Sequence, residues 1–413
     1  MPAPGASRVL FVEQFYYPEG WGGAELPLDL TVHLQRTGFD VEVICGTDQY
    51  TPLAGEPPPD PRAAGVRIRR IPRLLSGNIH RAKLLRQLWF YVALAPLLVF
   101  RRPPAVFVTQ TNPPLAVVLV AAAAWVWRRP LVIIAMDIYP EVLTAHGMVE
   151  SHSMSARLLA QIFTWAYRRA TRIVALGPVM RERLELKGVD AGRIVEIPNW
   201  ATGTLGLVRG DQNGLLTQWQ LQGRFVLLYS GNLGLAHEFD TLLEALAAVV
   251  PVHPRVRLVV IGRGSRLAAV RERVSRLGLD AAVLFSDLLP AERLPESFGI
   301  AQMAVVTLQP GFAGLVVPSK LQGYMARGLP TLYIGPDSDV DRFIRDSRGG
   351  VGFRNGDVTG VAAAIAQLAE DAGRLEQLGH DAREYYDRKF ARAHGLARYA
   401  TVIRSLLGTV RLP

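Results

Sequence analysis

The chain is 413 residues long, nearly half apolar, and carries a formal charge of +10. That length suits two α/β domains, and no tract is polar and charged enough for a long disordered segment. The single cysteine, Cys45, excludes an intrachain disulfide and reads as a small core residue in an apolar run.

Met1 to Arg8 lacks the basic start and unbroken apolar stretch of a signal peptide. Val9 to Phe15 reads as a strand. Gly22 and Gly23 follow it and open a helix over Glu25–Thr37, ended by Gly38. Glycines at a strand–helix turn let backbone N–H groups approach a phosphate, though many serve only the turn. Val41–Gly46 and Val66–Ile71 read as strands, separated by a Pro-rich loop at Pro52–Pro61.

Between Asp60 and Asp137 there is no acidic residue, while the interval holds twelve arginines and lysines. Such a patch attracts phosphate on nucleic acid or on lipid. Two apolar runs, Leu88–Phe100 and Leu115–Trp127, decide for lipid. Each is 13 residues long, short of the roughly 18–20 that cross a bilayer. Basic residues flanking Trp-bearing helices fit a membrane interface rather than a nucleic-acid groove. Arg81, Lys83, Arg86 and Trp89 are therefore the expected contacts with an anionic membrane or its lipid-linked acceptor. Leu115–Trp127 is expected to be a buried helix.

Ala105–Gln110, Leu131–Met136, Ile173–Leu176 and Ile194–Ile197 continue the strand rhythm. Apolar strands alternating with helices call for a parallel sheet covered on both faces. Asp137 and Glu141 stand at the end of the fifth strand, where doubly wound sheets bind ligands. Both are candidates for holding hydroxyls or moving protons, and Glu141 also suits helix N-terminal charge pairing. His146 and His237 lie near the candidate segments and read first as structural.

Residues 201–223 lack an apolar period and read as a linker. The rhythm restarts with strands at Phe225–Ser230, Val256–Ile261, Val283–Ser286, Met303–Thr307 and Thr331–Ile334. Gly231, Asn232 and Gly234 repeat the first domain's glycine-bearing strand end. Gly262-Arg263-Gly264 follows the next strand, and Arg263 suits either a phosphate or a solvated place in the turn. Pro318-Ser319-Lys320 opens a helix. Only four residues of the chain are lysine, against 42 arginines, so Lys320 points to a site suited to a compact ammonium. The expected architecture is α/β, with Rossmann-like domains over 1–200 and 224–390 facing across a cleft. The helix within 391–413 would cross back to the first. No metal-ligand cluster or phosphate loop of the Gly-x4-Gly-Lys type is present.

Taken together, YYPEGWGGAE, TNPP, MDIYPE, IVALGPVMRERLELKGV, RIVEIPNW, YSGNLGLAHEFDTLLEAL, VVIGRGSR and VPSKLQGYMARGLP resemble the family 4 retaining glycosyltransferases of the GT-B fold. The nearest likeness is to bacterial capsule, O-antigen and colanic-acid enzymes. The resemblance implies that Gly22, Gly23, Gly231, Asn232, Gly234 and Gly262 lie against a donor diphosphate. Arg263 and Lys320 would neutralise it, and Pro318 and Ser319 would bind the donor beside Lys320. Asp287 and Leu288 would hold the nucleotide base. Asp137 and Glu141 would serve the acceptor or the reacting sugar.

The implied reaction moves a hexosyl or N-acetylhexosaminyl group from a UDP-sugar to a polyprenyl-diphosphate-linked sugar. It would proceed with retention, without metal or cofactor, at the cytoplasmic face of the cell membrane. The family's Glu-x7-Glu pair is absent: Leu315 and Gly323 stand there. A nucleotide-sugar 2-epimerase and a silent nucleotide-binding subunit are the competing readings.

Overall fold

The computed structural model describes residues 7–18, 25–46, 59–72, 80–203 and 205–407, without the side chains of 80–84 and 291. The chain forms two compact units, Met1–Pro198 with Ala393–Pro413, and Asn199–Arg392.

The first unit runs β1 (Arg8–Val12), α1 (Glu25–Arg36), β2 (Asp40–Gly46), β3 (Arg67–Ile71), α2 (His80–Val99), β4 (Val106–Gln110), α3 (Pro114–Val126) and β5 (Leu131–Ala135). It continues with α4 (Glu141–Ala145), α5 (Met154–Arg169), β6 (Arg172–Ala175), α6 (Pro178–Leu186) and β7 (Ile194–Glu196). The seven strands lie in the order β3-β2-β1-β4-β5-β6-β7, all parallel. β4 and β5 are buried throughout, as continuous apolar strands covered on both faces must be. Parallel pairing brings every strand's C-terminal end to one edge of the sheet, where β4 and β5 deliver Thr111 and Asp137.

The second unit runs α7 (Gly214–Gln218), β8 (Phe225–Ser230), α8 (Asp240–Val249), β9 (Val256–Ile261), α9 (Leu267–Arg276), β10 (Val283–Ser286), α10 (Leu294–Gly299) and β11 (Met303–Thr307). Then come α11 (Lys320–Met325), β12 (Thr331–Ile334), α12 (Asp339–Ser347), β13 (Gly350–Phe353), α13 (Val358–Glu370) and α14 (Ala372–Tyr385). Its parallel order is β10-β9-β8-β11-β12-β13. Leu227, Tyr229, Leu258 and Val260 form its core with Leu242, Leu246 and Val270 from the helices.

β13 carries no strand signal because two of its four residues are glycine. The pairing itself demands one of them: a Cβ on Gly350 would sit 2.1 Å from the Thr331 carbonyl oxygen. The expected linker contributes α7 and packs on the second unit, where the Asn213 amide donates to Val208 O and Glu296 O. The final helix, α15 (Arg392–Leu407), groups with the first unit from Ala393 onward. There Arg404 stacks 5.4 Å over the Phe39 ring.

α3 departs from expectation. Ala116, Val117, Val120, Ala121 and Ala124 are buried, but Leu115, Trp125 and Val126 are exposed. The helix is apolar all round, so its sequence has no polar face to mark the solvent side. Among the described residues, no helix is long and apolar enough to cross a membrane.

Candidate functional site

The second unit's site begins where β8 and β9 end side by side. Gly231 N donates to Ile261 O at 2.8 Å, Leu233 N to Arg263 O at 2.8 Å, and Arg266 N to Leu233 O at 3.2 Å. These bonds zip the two glycine loops into one layer. The layer is too tight for side chains: a Cβ on Gly262 would meet Gly231 O at 1.9 Å, and one on Gly264 would meet Leu233 O at 2.3 Å. Both glycines also have positive φ, which other residues rarely adopt. Asn232 and Arg263 are exposed, and Gly234 is half-buried.

Lys320, the first residue of α11, reaches back to this layer. Tyr324 of the same helix fixes the approach by accepting the Ser230 N–H at 3.0 Å. The Lys320 Nζ lies 3.1 Å from His237 Nε2, 3.4 Å from Asn232 O, and 5.0 Å from the Tyr229 ring centroid. Gly231 makes room for it, since a Cβ there would come within 2.9 Å of Lys320 Cε.

The protons on the imidazole follow from its partners. His237 Nδ1 is 2.7 Å from Thr307 O, and a carbonyl can only accept. Nδ1 therefore carries the hydrogen, and Nε2 turns a lone pair toward the ammonium. Burial first, and the Lys320 charge second, push the His237 pKa down to about 3. The ring is neutral at physiological pH.

Lys320 is thus held by an imidazole, a carbonyl and an aromatic face, all uncharged. Burial lowers its own pKa to about 8. No carboxylate pairs with it among the described residues. An ammonium crowded by protein without a counterion is set to receive an anion.

One strand beyond Gly262, β10 ends beside Asp287, exposed, and Leu288, half-buried. Pro318 is half-buried and Ser319 exposed ahead of Lys320. At the positions of the missing acidic pair, Leu315 is buried and Gly323 O accepts from Arg327 Nη1 at 2.8 Å. The Arg327 guanidinium lies 4.0 Å over the Phe298 ring, and burial lowers its pKa to about 10. A cation, rather than an acid, occupies this corner.

In the first unit, Asp137 N donates to Thr111 Oγ1 at 3.0 Å, tying the end of β5 to the end of β4. Burial raises the Asp137 carboxyl to about 6. Glu141, the first residue of α4, has a different setting. Its Oε1 lies 2.5 Å from Lys187 Nζ, and Lys187 also sits 5.9 Å from the Tyr167 ring. Glu141 stands in the first turn of α4, and the Lys187 ion pair is a partner that neither sequence reading named. His146 caps the C-terminus of α4 and burial lowers its pKa.

Gly22 and Gly23 lie outside the described residues, as do the side chains of Arg81 and Lys83. Arg86 and Trp89 are half-buried on α2, and Trp89 Nε1 donates to Pro72 O at 2.9 Å. Tyr229, Tyr324 and Thr111 are site residues that the sequence did not single out. His237, read first as structural, is placed against the Lys320 ammonium. Among the described residues, no group of three or more His, Cys, Asp or Glu can hold a metal ion.

Two protein families match the chain in tandem: a glycosyl transferase 4-like domain over residues 22–200, and glycosyl transferases group 1 over 217–385. A probable glycosyltransferase of Pseudomonas aeruginosa, WbjE, is 26% identical over 313 residues, covering 74% of this chain and 76% of that one. Anabaena HepE in complex with UDP-glucose superposes with a TM-score of 0.71 at 17% identity, covering 97% of this chain and 100% of HepE. Sucrose-phosphate synthase of Thermosynechococcus elongatus gives 0.70 at 17% identity, covering 98% and 100%.

Proposed function

From the premise that this chain is a glycosyltransferase, with a glycosyl transferase 4-like domain followed by a group 1 domain and the two Rossmann-like sheets of the GT-B fold, we propose that it moves a sugar from a UDP-sugar to a lipid-linked acceptor, with retention and without metal. The observation that carries the donor half is Lys320, an ammonium that no carboxylate meets among the described residues, beside the glycine layer of Gly231 and Gly262. HepE, of the same fold, binds UDP-glucose, which favours a uridine donor here.

The residues divide the work as follows. The negative charges on the leaving nucleoside diphosphate increase by one as its bond to the sugar breaks. Lys320 and Arg263 stabilise them, with backbone N–H groups of the Gly231 and Gly262 loops, from positions fixed before reaction. Gly22 and Gly23 complete the diphosphate contacts. Asp287 and Leu288 take the base. Asp137 binds an acceptor hydroxyl. The proton released by that hydroxyl passes to the departing phosphate on the same face of the sugar, which gives retention with no carboxylate nucleophile.

The acceptor is a polyprenyl-diphosphate-linked sugar in surface-polysaccharide synthesis, reached from the inner face of the cell membrane. Supporting this, α2 carries Arg81, Lys83 and Arg86 and no acidic residue. The experiment is a panel of UDP- and GDP-sugars, each with and without a polyprenyl-diphosphate sugar. Acceptor-dependent release of UDP is the expected result. Conversion of the donor to its 2-epimer without acceptor would overturn the transfer reading, and release of GDP in place of UDP would overturn the uridine assignment.

A further inference from the structure

We propose that the membrane-binding surface of this chain is three helices wide, with α3 and α5 resting on an anionic lipid bilayer beside α2. The inference deepens the membrane reading of α2 and rests on it.

On α2, the exposed apolar side chains Leu85, Leu88, Val92 and Val99 recur every three, four or seven residues, so they share one face of the helix. Phe100, directly after it, is 85% exposed. α3 packs against α2 on one side and α5 on the other. Its own solvent side carries Leu115, Trp125 and Val126.

α5 contributes Met154 and Leu158, one turn apart, and Trp165 farther along the same face. The Arg169 guanidinium joins the two helices, 5.2 Å from the Trp125 ring and 5.8 Å from the Trp165 ring. Large exposed apolar side chains gathered on neighbouring helices mark interaction surfaces. Trp and Arg stacked at its margin are residues that favour the headgroup level of a bilayer.

Charge selects the occupant. None of the three helices contains an aspartate or glutamate, while α2 and α5 each carry three basic residues. Arg101, Arg102, Arg128 and Arg129 stand at the ends of α2 and α3. A second copy docking here would oppose one basic face to another. A bilayer containing anionic lipid complements both the apolar surface and its cationic margin.

The test uses the full chain with vesicles of phosphatidylcholine, alone or with phosphatidylglycerol, read by co-sedimentation. Trp125→Ser with Val126→Ser, and separately Met154→Ser with Leu158→Ser, should each weaken partitioning to the anionic vesicles about tenfold. Leu88→Ser with Val92→Ser should do the same on α2, whereas Val252→Ser, exposed in the second unit, should change nothing. All four positions on α3 and α5 are exposed, so thermal unfolding should stay near that of the parent chain. If only the α2 variant weakens binding, the three-helix surface is overturned and the α2 reading stands. If the parent chain ignores anionic vesicles, both fail. A concentration-dependent dimer abolished by the Trp125 variant would assign the face to a second copy instead.

Discussion

In the second unit, the Lys320 ammonium leans on a neutral imidazole 3.1 Å away and on the Tyr229 ring. In the first, Lys187 is as enclosed, with its side chain 10% exposed, but it meets the Glu141 carboxylate at 2.5 Å. Four residues before Glu141, Asp137 meets no cation among the described residues, and burial pushes its carboxyl up to about 6. Among the described residues, Lys320 in the second unit and Asp137 in the first thus lack the opposite charge that Lys187 has. The Glu141–Lys187 pair shows an enclosed lysine met by a carboxylate in the same protein. An uncompensated charge costs stability, and a ligand of opposite charge or a transferred proton offsets that cost.

The strongest way to break this contrast is to remove the poised cation. Lys320→Ala should lower kcat about a thousandfold, the range seen when one fixed stabiliser of transition-state charge is lost. Circular dichroism should show the fold unchanged, and unchanged turnover would remove Lys320 from the site. The sign of the pH dependence follows from its depressed pKa. Lys320 is charged below about 8 and neutral above. In the parent chain kcat/KM should therefore fall as pH rises through about 8.

Next in size is the acid. Asp137→Asn should lower kcat about a hundredfold if its charge engages the acceptor hydroxyl. The Asp137 carboxyl, raised to about 6, takes up its proton as pH falls through that value. The parent rate should decline below about pH 6, and the variant should lose that acid limb. Retention of the limb would assign it to another group.

His237 tests whether neutrality is the point of the Lys320 site. His237→Glu would give Lys320 the partner that Lys187 already has. KM for the donor should rise about tenfold, and the alkaline limb should move above pH 8, because a neighbouring carboxylate stabilises the ammonium. A variant with parental KM and an unmoved limb would show that the imidazole's lack of charge is irrelevant. His237→Gln, which keeps an accepting oxygen, should lie closer to the parent chain.

Much of this was legible in the sequence because glycine, lysine and strand periodicity carry local signals. The loops at Gly231 and Gly262 sit where alternating apolar runs end, and Lys320 is conspicuous in a chain that prefers arginine. Tertiary facts were not legible. Nothing local shows that Thr307 O fixes the His237 tautomer, because the two residues are 70 positions apart. Nor does the sequence reveal that Lys187, 46 positions from Glu141, claims that carboxylate. β13 escaped because two of its four residues are glycine, one of them, Gly350, demanded by the neighbouring strand rather than by a turn. α3 misled because uniform apolarity says nothing about which side is covered.

Glu141→Gln should have the smallest effect on turnover and tests the contrast from its other side. The Glu141 side chain is 41% exposed and Lys187 10%, so the pair lies between a surface ion pair and a buried one. Removing the carboxylate leaves the lysine enclosed and half-partnered, at a cost of about 1–2 kcal/mol. In a unit of this size that lowers Tm by roughly 2–8 °C, readable by calorimetry. Turnover should stay within about threefold of the parent, because the carboxylate already has its partner and its loss leaves the Asp137–Thr111 bond intact. A fall as large as that of Asp137→Asn, with Tm unchanged, would mean that Glu141 works on the acceptor and that Lys187 merely waits beside it.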